Sequence, residues 1–166
     1  MSNFFDKAYS LEYTKRYSMS PVINQESVAS HSYFVALAVM LLADVYEFNL
    51  SLAIKIAIVH DLPEMEISDV NHLVKKKYPK MAAAIKEVET EVISTFPVHI
   101  QNCCNAYDKD LTESKIVHLA DAMQCSQYAR SEISLGNEGY MDQVLQNSEH
   151  RVRMLEEELS GYKKDS

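Results

Sequence analysis

The stretch AIVHDLPEMEISD, residues 57–69, decides how this chain is read. An apolar helical lead-in runs straight into His60 and Asp61, which stand side by side. Pro63 follows two residues later; it lacks an N–H and clashes with the preceding turn, so the helix should stop or kink near Asp61. Glu64, Glu66 and Asp69 bring the carboxylates of the stretch to four. A core helix needs no such crowding of acids, and a solvated helix would not have the apolar lead-in. A buried helix that ends by delivering polar groups accounts for both.

Working outward, every neighbouring segment reads as helix or loop. ESVASHSYFVALAVMLLADVYE, residues 26–47, is apolar nearly all round after Tyr33, which predicts a central, buried helix. LSLAIKIAIVHDLPEME begins a second helix at residue 50, with Ser51 as its expected N-cap. PKMAAAIKEVETEVISTF is an amphipathic helix closed by Pro97, and VHIQNCCNAY a shorter one. TESKIVHLADAMQCSQYARSEISLG is a long helix with Thr112 as expected N-cap and Gly136 as C-cap. The amphipathic segment from Gly139 to about residue 160 closes the chain ahead of a charged tail. A short helix over residues 3–13 and a Ser-, Asn- and Pro-rich loop over 15–27 precede all of these. With no strand pattern and no repeat, the expected fold is all-α. It is a single compact helical bundle over residues 1–166, with its core at about 10–140 and the C-terminal helix at about 139–160.

Composition narrows the function. The 166 residues suffice for one domain with a real core, and three glycines and four prolines are too few for an all-β fold. A net charge of −8 argues against a nucleic-acid polymer as partner, because phosphate neutralisation needs a basic face. A small anion needs only a local Arg or Lys cluster. Cys103, Cys104 and Cys125 are an odd set without metal-finger spacing, so reduced thiols and a cytoplasmic location are expected. The N-terminus does not read as a signal peptide, and the longest apolar run is too short to span a bilayer.

Four side chains stand out as a set. His31 precedes the apolar run of its helix, His60 and Asp61 end the next, and Asp121 lies among apolar neighbours in the long helix. A lone buried Asp is costly unless paired or bound to metal. Two imidazoles and two carboxylates suit one divalent transition metal, Co, Mn, Zn, Fe or Ni, with Mg also compatible. Single histidines and aspartates of this kind are usually structural; the four together point to a site. His118 reads as the polar flank of its helix, with a supporting role behind Asp121 as the alternative. His72, His99 and His150 read as surface or loop residues.

The order His, His-Asp, Asp on successive helices resembles the HD-domain phosphohydrolases. The finer resemblance is to the bacterial 5′-deoxynucleotidases and their small phage relatives. RYSMSPVINQESVASHS matches an Arg–aromatic pair, a loop and E-N-V-x-x-H-S; HDLPEMEISD matches H-D-x-x-E-x-x-x-G-D; HLADAMQ carries the last Asp, and EISLGN resembles a later E-x-x-x-G-N. The match covers roughly residues 12–140. By this resemblance His31, His60, Asp61 and Asp121 hold the metal, Asp61 thereby belonging also to the catalytic set. Glu64 is the catalytic acid or base. Arg16 clamps phosphate, Tyr17 packs on the sugar, Asp69 contacts the sugar hydroxyl or supports the site, and Lys75 adds a basic contact. A homodimer is also implied, with the C-terminal helix as a possible interface.

Three departures bear on the substrate. Tyr17 stands where relatives often carry Trp, the bulky ring that disfavours a 2′-hydroxyl; Ser68 replaces a glycine; and Pro63 is unusual. The leading expectation is hydrolysis of deoxynucleoside 5′-monophosphates to nucleoside and phosphate. Release of triphosphate from deoxynucleoside triphosphates is the alternative within the class. A noncatalytic nucleotide- or metal-binding module and a helical interaction protein are the alternatives outside it.

Overall fold

The computed structural model describes residues 2–70 and 72–164. α1 (Ser2–Tyr9) runs into a 3-10 turn at Ser10–Glu12, so the expected helix over 3–13 tightens before its end. There follow α2 (Val28–Leu42), α3 (Leu50–Val59), the single turn α4 (Glu64–Ile67), α5 (His72–Lys77), α6 (Pro79–Ser94), α7 (Val98–Tyr107), α8 (Thr112–Ser134) and α9 (Tyr140–Glu158). The fold is all-α, as expected, with no strand among the described residues beyond two isolated bridges. No helix among them is long and apolar enough to cross a membrane.

α8 is the central element, packed against α2, α3 and α9. Buried side chains surround it, from Ser114 and Ile116 through Leu119 and Asp121 to Tyr128 and Glu132. Its small residues Ala120, Ala122, Ser126 and Ala129 let neighbouring helices approach closely. The central position expected for α2 is thereby corrected. α2 buries Val28, His31, Val35, Val39 and Leu42, but Tyr33, Phe34, Met40 and Leu41 stand exposed on its outer face. Its apolar residues encircle it, yet only one side has a helix to meet.

The caps also differ from expectation. Asn49, not Ser51, caps α3, because its side-chain oxygen reaches the N–H of Leu52 at 3.1 Å. Thr112 is the first helical residue of α8; Leu111 holds the cap position without a side-chain bond. Gly136 follows α8 at φ +97°, a backbone conformation that favours glycine. The last residues fold back as a strap: the Lys164 N–H donates to Val45 O at 2.9 Å, and Leu159 is fully buried in the main core.

At the key stretch α3 ends at Val59, with His60 as its C-cap. The chain then continues in tight turns through the i−3 bonds Leu62 N–H to Val59 O (3.1 Å), Glu64 N–H to Asp61 O (3.1 Å) and Met65 N–H to Leu62 O (3.2 Å). Pro63, which has no N–H to give, sits where none is required. Glu64 therefore lies one tightened turn beyond His60, on the same side of the molecule.

Candidate metal centre

α2, α3 and α8 bring His31, His60 and Asp121 to one point, and Asp61 stands beside the two imidazoles. His31 Nε2 lies 3.3 Å from His60 Nε2, 3.3 Å from Asp121 Oδ1 and 3.5 Å from Asp61 Oδ2. Asp61 Oδ2 is 3.3 Å from His60 Nε2. His31, His60 and Asp121 are buried and Asp61 is half-buried.

The tautomers follow from the partners. His60 Nδ1 is 2.7 Å from the Ala57 carbonyl, which can only accept, so Nδ1 carries the proton and Nε2 offers a lone pair. Gln124 gives its amide N–H to Glu26, which turns its Oε1 toward His31 Nδ1 at 2.7 Å. His31 must then donate from Nδ1 and present its own lone pair at Nε2. Two imidazole lone pairs and two carboxylate oxygens thus face one another in a buried space. Such a set repels itself unless a cation sits among it, and the mixture of nitrogen and oxygen donors fits a divalent metal.

The remaining sequence-derived residues line an adjoining cleft of about 520 Å³. Arg16 reaches it from the loop before α2; its Nη2 touches Cys125 Sγ at 3.6 Å, while Nη1 is buried without a hydrogen-bond partner among the described residues. Glu26 Oε2 stands 3.6 Å from that Nη1, an ion pair beyond hydrogen-bond range. Glu64 Oε2 is also buried and unpartnered. Burial and the charges of Asp61 and Asp69 push the Glu64 carboxyl up to about 9, so the chain's own field keeps it protonated at neutral pH. Tyr17 stacks on Tyr128 at 5.2 Å and holds φ +56°. Its N–H donates to Asp69 Oδ2 at 3.1 Å, so Asp69 fixes the backbone of the Arg16–Tyr17 pair. Lys75 lines the cleft and pairs with Glu89 at 3.5 Å, whereas Lys76 and Lys77 are exposed.

Several residues at the site carry no signal that the sequence reading used. Arg151, from α9, donates to Asp121 Oδ2 at 3.0 Å and so steadies the carboxylate whose other oxygen faces His31. Its Nη2 stands 3.3 Å from His118 Nδ1, and the His118 ring lies 4.2 Å from that of Tyr107, which is itself 5.2 Å from His60. His118 therefore buttresses the site through Arg151, which corrects its reading as a plain polar flank. Gln124 could have been found, being three residues beyond Asp121 on the same helix face. Arg151 could not, because only the packing of α9 on α8 brings it there. His99 and His150 are exposed, each on a helix, and the side chain of His72 lies outside the described residues. The three cysteines are unpaired.

Comparison with known proteins gives one family. Residues 8–158 match the family described as the HD domain. No curated protein matches the sequence. A protein of Pyrococcus horikoshii has a similar structure, with a TM-score of 0.80 at 22% identity, covering 95% of each chain. A conserved hypothetical protein of Pyrococcus furiosus gives 0.75 at 26% identity, covering 96% of this chain and 99% of its own. An HD-domain phosphohydrolase of Listeria innocua gives 0.78 at 22% identity, over 94% and 81%. At these identities the likeness is one of fold. The family match, by contrast, spans every helix that contributes to the four-donor cluster, and the chain belongs to the HD-domain family.

Proposed function

We propose that the protein is a metal-dependent phosphohydrolase that cleaves deoxynucleoside 5′-monophosphates to nucleoside and phosphate. The observation that carries this reading is the placement of a buried Arg16 Nη1 and a buried Glu64 Oε2, neither with a hydrogen-bond partner among the described residues, beside the converging metal donors. A divalent ion held by His31, His60, Asp61 and Asp121 supplies Lewis acidity and a more acidic water there. Arg16 binds a phosphate oxygen through Nη1, which pairs with Glu26 Oε2 only at 3.6 Å and makes no hydrogen bond, a geometry suited to the guanidinium fork. Glu64 gives its proton to the departing 5′ oxygen as the P–O bond breaks, and the attacking water's proton restores it. Asp69 holds Tyr17 in place, and the Tyr17 ring packs against the sugar.

A single phosphate is favoured over three by the state of the other cations. Lys75 and Lys86 pair with Glu89 at 3.5 and 3.4 Å, and Arg151 is engaged by Asp121. A triphosphate would have to break these pairs. Assaying ribo- and deoxynucleoside mono-, di- and triphosphates with Mn or Co tests the reading. Inorganic phosphate from deoxynucleoside monophosphates is expected. Triphosphate as product would favour the alternative activity, and no product from any substrate would leave a binding module.

The same reading includes a homodimer. α9 packs along α8, so the exposed face of α2, with Tyr33, Phe34, Met40 and Leu41, replaces the C-terminal helix as the surface for a second copy. Sedimentation should show a dimer that Leu41→Glu splits; a monomeric wild type would refute it.

A further inference from the structure

The cleft beside the metal donors has two walls of different chemistry. On one, Lys75, Glu89, Lys86 and Asp108 form a chain of ion pairs, engaged with one another. The other wall is α9. Tyr140, Gln143, Asn147 and Arg151 line the cleft at spacings of three and four, with Val144 beside Gln143, which makes one stripe along the helix. The ends of the stripe are occupied: the Tyr140 hydroxyl accepts from Ser20 at 2.9 Å, and Arg151 donates to Asp121. Between them Gln143 and Asn147 are exposed to the cleft, and neither amide has a hydrogen-bond partner among the described residues.

α9 runs antiparallel to α8, so position along it measures distance from the metal donors. Arg151 meets Asp121, Ser148 meets Ser126 at 3.0 Å, and Met141 packs with Tyr128 and Ala129. At about 1.5 Å per residue, Asn147 and Gln143 stand roughly 6 and 12 Å outward from the level of Arg151. Tyr17 spans this length: its hydroxyl lies 3.9 Å from Cys125 Sγ, one helical turn from Asp121, and its ring packs in the same cluster as Tyr140 and Val144. A phosphate at Arg16 with its sugar against Tyr17 therefore projects the next group of a nucleotide along the α9 stripe.

We propose that Gln143 and Asn147 read the hydrogen-bonding edge of the nucleobase, making α9 the wall that sets base preference. This rests on the deoxynucleotide reading above. An amide offers a donor and an acceptor side by side, the pattern that matches a base edge, and Val144 between them supplies apolar contact. The ion-paired wall has no free group of that kind to give a neutral, planar base.

The test compares wild type, Gln143→Ala and Asn147→Ala, each metal-loaded, by calorimetric titration with the four deoxynucleoside 5′-monophosphates and by phosphate release. Asn147→Asp, which keeps the shape and removes the donor, checks that lost volume is not the cause. The wild type should discriminate among the four bases. Either alanine variant should shrink the ratio between the best and worst base by about tenfold, the scale of one good amide–base contact. Asn147→Asp should change the order of the bases. A wild type that binds and hydrolyses all four equally, or alanine variants with the wild-type ratio, would overturn the base-reading role and leave the hydrolase reading standing. A wild type that neither binds nor hydrolyses any of the four would overturn the hydrolase reading, and this role with it.

Discussion

Replacing Glu132 with Gln should cost this protein roughly a quarter of the stability of an ordinary domain, although Glu132 touches neither metal donors nor cleft. Glu132 is fully buried near the C-terminal end of α8. One carboxylate oxygen accepts from Asn24 N–H at 2.7 Å; the other accepts from Ile23 N–H and from Asn137 Nδ2, each at 2.7 Å. Asn137 also donates to Pro21 O at 2.7 Å, and the Tyr128 hydroxyl donates to Asn24 O at 2.8 Å. The loop that begins with Arg16 and Tyr17 is thus tied to α8 by one carboxylate. A Gln of the same shape has one acceptor oxygen and turns an NH₂ toward donors. One backbone N–H then loses its partner, at about 1–3 kcal/mol, and the remaining bonds lose their charge assistance, for a total of about 3 kcal/mol. At about 2–4 °C per kcal/mol for a chain of this size, the Tm should fall by roughly 6–12 °C.

Thermal unfolding followed by circular dichroism over a range of pH measures this. Burial opposes the Glu132 charge, but the bonds from Ile23, Asn137 and Asn24 prevail and hold its pKa below the ordinary carboxylate value. A depressed pKa means that the unfolded chain takes up the proton first. The stabilisation is complete above the unfolded-state pKa, about 4.3, and is lost as pH falls through the lower folded-state value. The gap in Tm between wild type and Glu132→Gln should be widest near neutrality and narrow in acid. A gap under about 1 kcal/mol, or one that does not change with pH, would refute the clamp.

Three further outcomes follow from the site. Gln124→Met removes the bond that orients His31 and should weaken metal binding by about 10–100-fold in a chelator competition; an unchanged affinity would dismiss the Glu26–Gln124–His31 relay. Ser68 holds φ 64° and ψ 166°, a conformation that essentially only glycine adopts, so Ser68→Gly should raise the unfolding free energy from urea titration by about 1 kcal/mol after the entropy cost of glycine, and a loss would show that the serine side chain earns its place. On the proposed mechanism Glu64 works as an acid below its pKa, which the chain's own charges put at about 9 and a bound cation draws downward, so kcat/KM should fall on an alkaline limb. Glu64→Gln should lower the rate by about 10²–10⁴-fold and flatten that limb; a limb that persists belongs to another group.

The order of the long helices was legible because each carries a long apolar period, and Pro63, Pro97 and Gly136 punctuate it; the short α4 and α5, with no such period, were not expected. Which helix becomes central was not. α2 is the more apolar, yet α8 takes the middle, because small residues on several faces let three neighbours close on it at once. Apolar count measures what a helix can bury; side-chain size decides how many partners can do the burying. The same distinction separates the site residues. His31, His60, Asp61 and Asp121 are conspicuous as polar groups within apolar helices. Arg151 sits on a charged amphipathic helix among other arginines and glutamates, where nothing local sets it apart, and it becomes part of the site only because α9 lies along α8.

Backbone strain gives a second, independent marker of the cleft. Among the described residues, Tyr17 and Ser68 are the non-glycine positions with positive φ. They lie far apart in sequence, but Asp69, next to Ser68, accepts the Tyr17 N–H. The two strained turns are therefore one device: the turn at Ser68 aims the Asp69 carboxylate, and that carboxylate pins the turn at Tyr17, which presents Arg16 to the cleft. Each conformation costs on the order of 1–3 kcal/mol and persists only where surrounding contacts over-determine it. Folding alone offers no reason to keep both at the same cleft. Precise placement of Arg16 and Tyr17 does, which is why the position where Ser replaces an expected glycine adjoins the residue that fixes the loop carrying that pair.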